Sequence, residues 1–238
     1  MENNRNKNGT TDLQFSYELD SFVDRMLGET VHLPEEGTQR ARILEAARKL
    51  IAEKGVDGTS MRNIAEMAGV NQAMIHYYFR SKENLYSQVV KTQFLLIIKA
   101  TISKVDRDWT PGTFITHFPI LLIEVLRNEP SWSRIIMREI VAGSQQLSQF
   151  IHELGISGPN GLHKLLDKQI EAGIQTKEIH EYPISALIHF LFSLSFGAVF
   201  VAPILQNVNR IDSKTWETSY MEVFQDILAN GLCIKKGA

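Results

Sequence analysis

MRNIAEMAGVNQAMIHYYFRSK, residues 61–82, decides how this chain reads, because its small, glycine and apolar positions fall where two short helices cross at a tight turn. Ala65 leaves room for a second helix to approach the first. Gly69, four residues on, can take the positive φ that ends a helix abruptly. Val70 and Ile75 point back into a small core, which leaves Asn71, Gln72, Ala73, His76 and Tyr77 as an outward polar and aromatic face with no evident internal role. The segment therefore reads as a helix-turn-helix whose second helix enters a DNA major groove. The same spacing also serves an ordinary αα-corner.

The flanks build a head around this segment. Ile43, Ala47, Leu50 and Ile51 recur at the helical period over Thr38–Lys54, and Gly55 stops that helix. Thr59 or Ser60 caps the next helix. Downstream, Phe79 ends the recognition segment and Ser81 caps a helix through Leu85, Val89 and Val90. This places Lys82 at a helix N-terminus, where an ammonium group, amide donors and the helix dipole can grip a phosphate together.

The run RARILEAARKLIAEKGVDGTSMRNIAEMAGVNQAMIHYYFRSKENLY, Arg40 to Tyr86, resembles the N-terminal domain of the TetR/AcrR transcriptional regulators over about a fifth of the chain. The features shared are Gly55, Thr59, Ile64-Ala65, Ala68-Gly69-Val70, Tyr78-Phe79 and Ser81-Lys82. Met74 and His76 depart from that family's commonest residues, threonine and tyrosine. The resemblance implies an all-α fold, with an N-terminal three-helix helix-turn-helix head and a larger C-terminal helical body for ligand binding and dimerisation. It also implies a homodimer on double-stranded DNA and a small-molecule effector. Residues 1–36 then form an acidic extension, partly disordered or one extra helix, residues 37–86 the DNA-binding domain, and residues 87–238 the regulatory and dimerisation domain. Gln72, Ala73 and Tyr77 are candidates for base edges, and Thr59, Ser60, Arg62, His76, Tyr78 and Lys82 for phosphates.

The net charge of −2 is unevenly spread. Residues 1–37 carry three basic and eight acidic side chains, residues 38–91 nine basic and five acidic, and the remainder 13 and 14. Phosphate affinity follows local neutralisation, so a basic head on an acidic body suffices. Arg48, Lys49 and Lys54 also read as the solvated face of the first helix. The single cysteine, Cys233, excludes an intrachain disulfide framework and multi-cysteine metal sites. MENNRNKNGTTDLQ has neither an apolar core nor a basic n-region of a signal sequence, so a cytoplasmic location is expected.

Beyond the head, helices are expected over Ser81–Lys104, with or without a break near Thr92, Thr113–Asn128, Ser131–Ser144, Asn160–Gly173, Pro183–Leu205 and Asp212–Leu232. Leu19, Phe22, Val23, Met26 and Leu27 fall at helical spacing, enough for an amphipathic helix that packs on the body or on a partner subunit. ALIHFLFSLSFGAVFVAPIL, residues 186–205, is long enough to raise a membrane span. Its interruptions at His189, Ser193 and Ser195, its end at Pro203, and the lack of a basic flank favour a buried or interfacial helix instead. Ser193 and Gly197, with Trp216, Tyr220 and Phe224 on the last helix, resemble the family's dimer-forming pair. A dimer also follows from the small footprint of one head.

Phe114, His117, Phe118, Leu121, Trp132, Met137 and Phe150 supply an apolar and aromatic lining for a pocket; core packing accounts for each of them equally well. An enzyme has little support. The seven histidines show no His-Glu-x-x-His or other close pairing, no Gly-rich phosphate loop is followed by Lys-Ser/Thr, and Cys233 has no histidine near it in sequence. No catalytic residue, metal or cofactor is expected. The reading is a repressor released from a pseudo-palindromic operator by a small apolar or amphipathic ligand. The alternative is a DNA-binding adaptor of the same fold whose body engages a protein. The operator, the ligand, the target genes and the sign of regulation are not written in the sequence.

Overall fold

The structure, a computed structural model, describes residues 17–22, 24–25, 34–143, 145–153, 161–210 and 212–232. Every regular element among them that exceeds a turn is helical. In chain order they are α1 (Gln39–Lys54), α2 (Met61–Ala68), α3 (Gln72–Phe79), α4 (Lys82–Ile102), α5 (Pro111–Asn128), α6 (Pro130–Val141), α7 (Gln145–Glu153), α8 (Leu162–Gln175), α9 (Ile184–Phe200), α10 (Ala202–Asn209) and α11 (Ser213–Leu232). The packing divides into two units: residues 24–99 with 129–154, and residues 1–23 with 100–128 and 155–238.

In the first unit, α1 begins at Thr38, whose hydroxyl accepts from the Ala41 amide at 3.2 Å and donates to the Glu35 carbonyl at 2.8 Å. Its apolar face buries Ile43, Ala47, Leu50 and Ile51 against Ile64, Ala65, Ile75 and Phe79 of α2 and α3 and against Leu85, Val89 and Val90 of α4. Ile135 of α6 and Leu147 of α7 belong to the same cluster. The core that holds the helix-turn-helix thus draws on residues far along the chain. Tyr86 and Glu139 join α4 to α6, the phenol donating to a carboxylate that is only 5% exposed.

The second unit packs α5 against α8, α9 and α11. Pro119 lies inside α5, and Ser195, fully buried on α9, sits 2.9 Å from the Leu191 carbonyl and 3.4 Å from that of Pro119. Leu19 and Phe22 of the helical residues 17–22 are buried in this unit, and Glu18 pairs with Lys168 at 2.9 Å and Asp20 with Arg107 at 2.6 Å. The extension therefore applies two of its acids and two of its apolar residues to its own body. Val23, Met26 and Leu27 lie outside the described residues, as does Cys233.

Several expected boundaries move. The helix expected over Pro183–Leu205 is two, α9 and α10, bent by 46°. Pro203, in the first turn of α10, has no amide hydrogen and crowds the preceding turn, so it starts a helix more readily than it continues one. Among the described residues no single helix is long and apolar enough to cross a membrane, although the bent pair passes by length and composition. α4 is continuous through Thr92, and α5 continues through Pro119. α7 was not anticipated; it follows Gly143, which takes φ 60° after α6.

Candidate nucleic-acid interface

The loop from Gly55 to Ser60 sets the entry to α2. Gly55 adopts φ 76°, and a Cβ there would run into the Arg138 guanidinium. The Thr59 hydroxyl donates to the Gly55 carbonyl at 2.7 Å, and the side chain is 2% exposed. Thr59 therefore closes the loop from inside and does not face a phosphate, contrary to the sequence expectation. Ser60 is the N-cap, accepting from the Asn63 amide at 3.1 Å, and remains at the surface. Arg62 follows it, exposed and paired with Glu66 at 2.9 Å.

Gly69 ends α2 in the left-handed region, at φ 63° and ψ 41°. The Val70 amide donates to the Ala65 carbonyl at 3.1 Å and the Gly69 amide to that of Glu66 at 3.3 Å, which satisfies the orphan carbonyls of the last turn. The side chain of Asn71 then accepts from the Ala73 amide at 3.0 Å and starts α3. Asn71, grouped in the sequence with the outward face, has an internal role after all: it is the cap.

On α3, Ile75 and Phe79 are buried, while Gln72, Ala73, His76, Tyr77 and Tyr78 are exposed. Tyr77 shows 76% of its surface, an unusual position for a large aromatic ring in a packed unit. It stands edge-on to Tyr78 at 5.2 Å, and Tyr78 in turn leans on Phe79. At the helical period Gln72, Ala73, His76 and Tyr77 share one exposed face of α3, Tyr78 is exposed on its flank, and Ser60 and Arg62 are exposed at the start of the preceding helix.

The exit from α3 is strained. Arg80 has φ 63° and ψ −48°, and the Ser81 amide donates to the Phe79 carbonyl at 2.7 Å, which is the geometry of the rare γ-turn. Two bonds hold it: the Arg80 amide donates to the His76 carbonyl at 2.9 Å, and His76 Nδ1 lies 3.2 Å from the Arg80 carbonyl oxygen. The turn delivers Lys82 to the first position of α4, where Ser81 caps by accepting from the Asn84 amide at 3.2 Å. Glu83, fully exposed beside it, is held below the usual carboxylate range by its own backbone amide and then by the Ser81 hydroxyl. That acid competes for the same donors that a phosphate at Lys82 would use.

One cation escaped the sequence reading. Arg42, exposed on α1, brings its guanidinium to within 4.0 Å of the position a Cβ would take on Gly69. Nothing in the spacing of α1 signals which residue meets the α2–α3 turn, because that is settled by how the helices cross. Arg48, by contrast, is engaged inside the unit with Glu45 at 2.5 Å and with Ser131; the bond to Arg48 holds the Glu45 carboxyl below its ordinary value.

The residues expected to line a pocket do not gather at one place. Phe114 and Phe118 border a wholly apolar void of about 10 Å³ in the second unit, with Leu122, Ile170, Ile188 and Leu191. Leu121 is half-buried there on the same helix but does not line it, and His117 is exposed, packed against Trp109 at 5.1 Å. Trp132, Met137 and Phe150 belong to the first unit; Trp132 borders an open cleft between α1, α4 and α6, and Phe150 meets Phe94 edge-on at 5.9 Å. Of the expected dimer contacts, Ser193 is exposed and Gly197 has open space where a Cβ would be. Phe224 is buried in its own unit at 5%, stacked on half-buried Tyr220, so it is core instead of contact surface. Among the described side chains of α11, the large apolar ones that are exposed are Val223 and Ile227. The side chain of Trp216 lies outside the described residues. No group of three or more metal-ligating side chains occurs among the described residues.

Residues 43–89 match the family model for bacterial regulatory proteins of the tetR family. The chain is 37% identical over 109 residues to the HTH-type transcriptional regulator RutR of Escherichia coli K12, an alignment covering 46% of this chain and 51% of RutR. It is 40% identical over 53 residues to IcaR of Staphylococcus aureus Newman, a negative transcriptional regulator of a biofilm operon, covering 22% of this chain and 28% of IcaR. The chain thus spans about half the length of RutR and less of IcaR. A solved structure, the putative transcriptional regulator SCO4942 from Streptomyces coelicolor, shares the fold with a TM-score of 0.62 at 19% identity, over 82% of this chain and 98% of that one. The family match covers the capped turn and exposed second helix described above, so residues 43–89 are similar to the N-terminal domain of bacterial regulatory proteins of the tetR family.

Proposed function

We propose that this protein is a cytoplasmic transcriptional repressor that binds a pseudo-palindromic operator as a homodimer and leaves it when a small apolar or amphipathic ligand binds the body. The observation that carries the reading is the outward face of α3, where Gln72, Ala73, His76 and Tyr77 stand exposed on a helix pinned from behind by Ile75 and Phe79. A helix so held keeps its side chains in register with base edges. In this reading residues 37–86 are the DNA-reading domain, residues 87–238 the regulatory and dimerisation domain, and residues 1–36 an accessory extension. Gln72, Ala73 and Tyr77 read bases; Ser60, Arg62, Tyr78 and Lys82 hold phosphates. The similarity to a negative regulator supports repression as the sign.

The exposed apolar residues of the second unit supply the dimer surface: Phe190 on α9, Ile204 and Val208 on α10, and Val223 and Ile227 on α11. A ligand acts by preferring the conformation that does not fit DNA. The void beside Phe114 and Phe118, at about 10 Å³, is far below the roughly 300–1,000 Å³ of ordinary ligand pockets, so entry requires these side chains to part. The same small void favours a second reading, in which the body engages a protein partner through its exposed apolar residues.

Selection from a random duplex library, with and without a low-molecular-weight cell extract, separates the two. The repressor reading expects one enriched palindrome whose binding falls when extract is added. Enrichment that only a macromolecular fraction alters supports the adaptor, and no enrichment contradicts both. Lys82→Ala is expected to weaken binding to every duplex and to reduce the slope of log affinity against log salt by about one. An unchanged slope removes Lys82 from the phosphate contacts.

A further inference from the structure

The imidazole of His76 has one nitrogen already committed. Nδ1 lies 3.2 Å from the carbonyl oxygen of Arg80, the residue at the centre of the γ-turn. A carbonyl oxygen only accepts, so the hydrogen in this bond is on Nδ1. In the neutral ring Nε2 is then bare, an acceptor with no hydrogen to give. Phosphate oxygens are acceptors too, and a neutral His76 set against one would oppose two lone pairs. In its neutral form His76 therefore suits a donor better than a phosphate.

What an outward acceptor on this helix can meet is a donor on a base edge. In the major groove the only donors are the exocyclic amines, N6 of adenine and N4 of cytosine. His76 is exposed on the face that also carries Gln72, Ala73 and Tyr77. The Nδ1 bond favours one orientation of its ring, because it reaches a turn that is itself held by the bonds from Arg80 to His76 and from Ser81 to Phe79. A ring so oriented, with a single available polar atom, is a selective reader, whereas a rotating hydroxyl accepts or donates as needed.

We propose that His76 is a specificity-determining residue that accepts, through Nε2, a hydrogen bond from the exocyclic amine of one adenine or cytosine per half-site, its tautomer set by the Nδ1 bond to the Arg80 carbonyl. The proposal rests on α3 being the recognition helix. It assigns the γ-turn a purpose as well: the strained backbone at Arg80 turns its carbonyl toward α3, where it holds the ring.

Two measurements test it. Nitrogen-15 spectra of the free protein at pH 8, where free imidazole is neutral, are expected to show His76 protonated at Nδ1 and bare at Nε2. The opposite tautomer overturns the proposal whatever the DNA does. The second measurement uses the duplex selected by the wild-type protein, remade with each adenine in turn as the purine analogue lacking N6 and each cytosine as the pyrimidinone lacking N4. One substitution per half-site is expected to weaken the wild type by about 5- to 20-fold, as for the loss of a single good base contact, and to leave His76→Ala unaffected. His76→Gln, which offers both an acceptor and a donor, is expected to relax the preference at that pair. Equal weakening of His76→Ala on selected and random duplexes overturns the proposal and returns His76 to positioning or phosphate contact. A wild type that selects no duplex at all overturns the recognition-helix reading beneath it, a result distinct from selection that His76→Ala leaves unchanged.

Discussion

Tyr86→Phe is expected to destabilise the protein by about 3 kcal/mol, because it leaves a buried carboxylate without its hydrogen-bond donor. Glu139 is 5% exposed; one of its oxygens accepts from the Tyr86 hydroxyl and the other has no partner among the described residues. Removing one hydroxyl therefore exposes the full desolvation cost of the acid, which far exceeds the net worth of the bond itself. The double variant Tyr86→Phe/Glu139→Leu removes both polar partners and is expected to recover most of the loss. Urea denaturation of the wild type, both single variants and the double variant measures the cycle; a Tyr86→Phe protein as stable as wild type would show that Glu139 is solvated.

The same pair sets a pH dependence. Burial, then the bond to Glu139, raises the Tyr86 phenol above its ordinary value of 10.0. A group whose folded value is raised stabilises fully below the unfolded value and loses that contribution as pH rises toward the folded one. Stability is thus expected to be insensitive to this group below pH 10 and to fall above it, and Tyr86→Phe is expected to abolish that part of the alkaline slope.

Ile227→Asp is expected to yield a monomer that binds the selected operator about a thousandfold more weakly than wild type, close to its affinity for random DNA. Ile227 is 56% exposed on α11 and Val223, one turn before it, 58%. A carboxylate there costs the folded chain little, because the site is open to solvent in one copy. Opposite a second copy it would be buried against apolar groups and against its own symmetry mate. Sedimentation with and without operator reads both effects. A variant that stays dimeric moves the interface elsewhere.

The head was legible because its signals are local. The Gly69 turn and a cap at Thr59 or Ser60 depend on neighbours within a few residues; the turn lies where the pattern puts it, and Ser60 is the cap. Thr59 was misassigned because sequence cannot tell whether a hydroxyl at a cap turns in or out; here it turns to the Gly55 carbonyl. Asn71 was misjudged for the related reason that a side chain capping its own helix looks like any polar residue. The body was harder. Phe114, Phe118, Trp132, Met137 and Phe150 are all aromatic or apolar, and composition cannot say that they serve two different units. Nor does any local pattern show that Ile135 and Leu147 join the core of the head, some 60 residues from the last helix of the expected domain. The break between α9 and α10 was visible as Pro203 but was read as an end instead of a bend.

If the exposed face of α3 reads base edges in duplex DNA, Gln72→Ala loses affinity only where those bases are present. Its affinity should be compared with that of wild type on the selected operator and on a random duplex at one salt concentration. A loss of about 1–3 kcal/mol confined to the selected operator is predicted. Equal losses on both duplexes, or none on either, would contradict it.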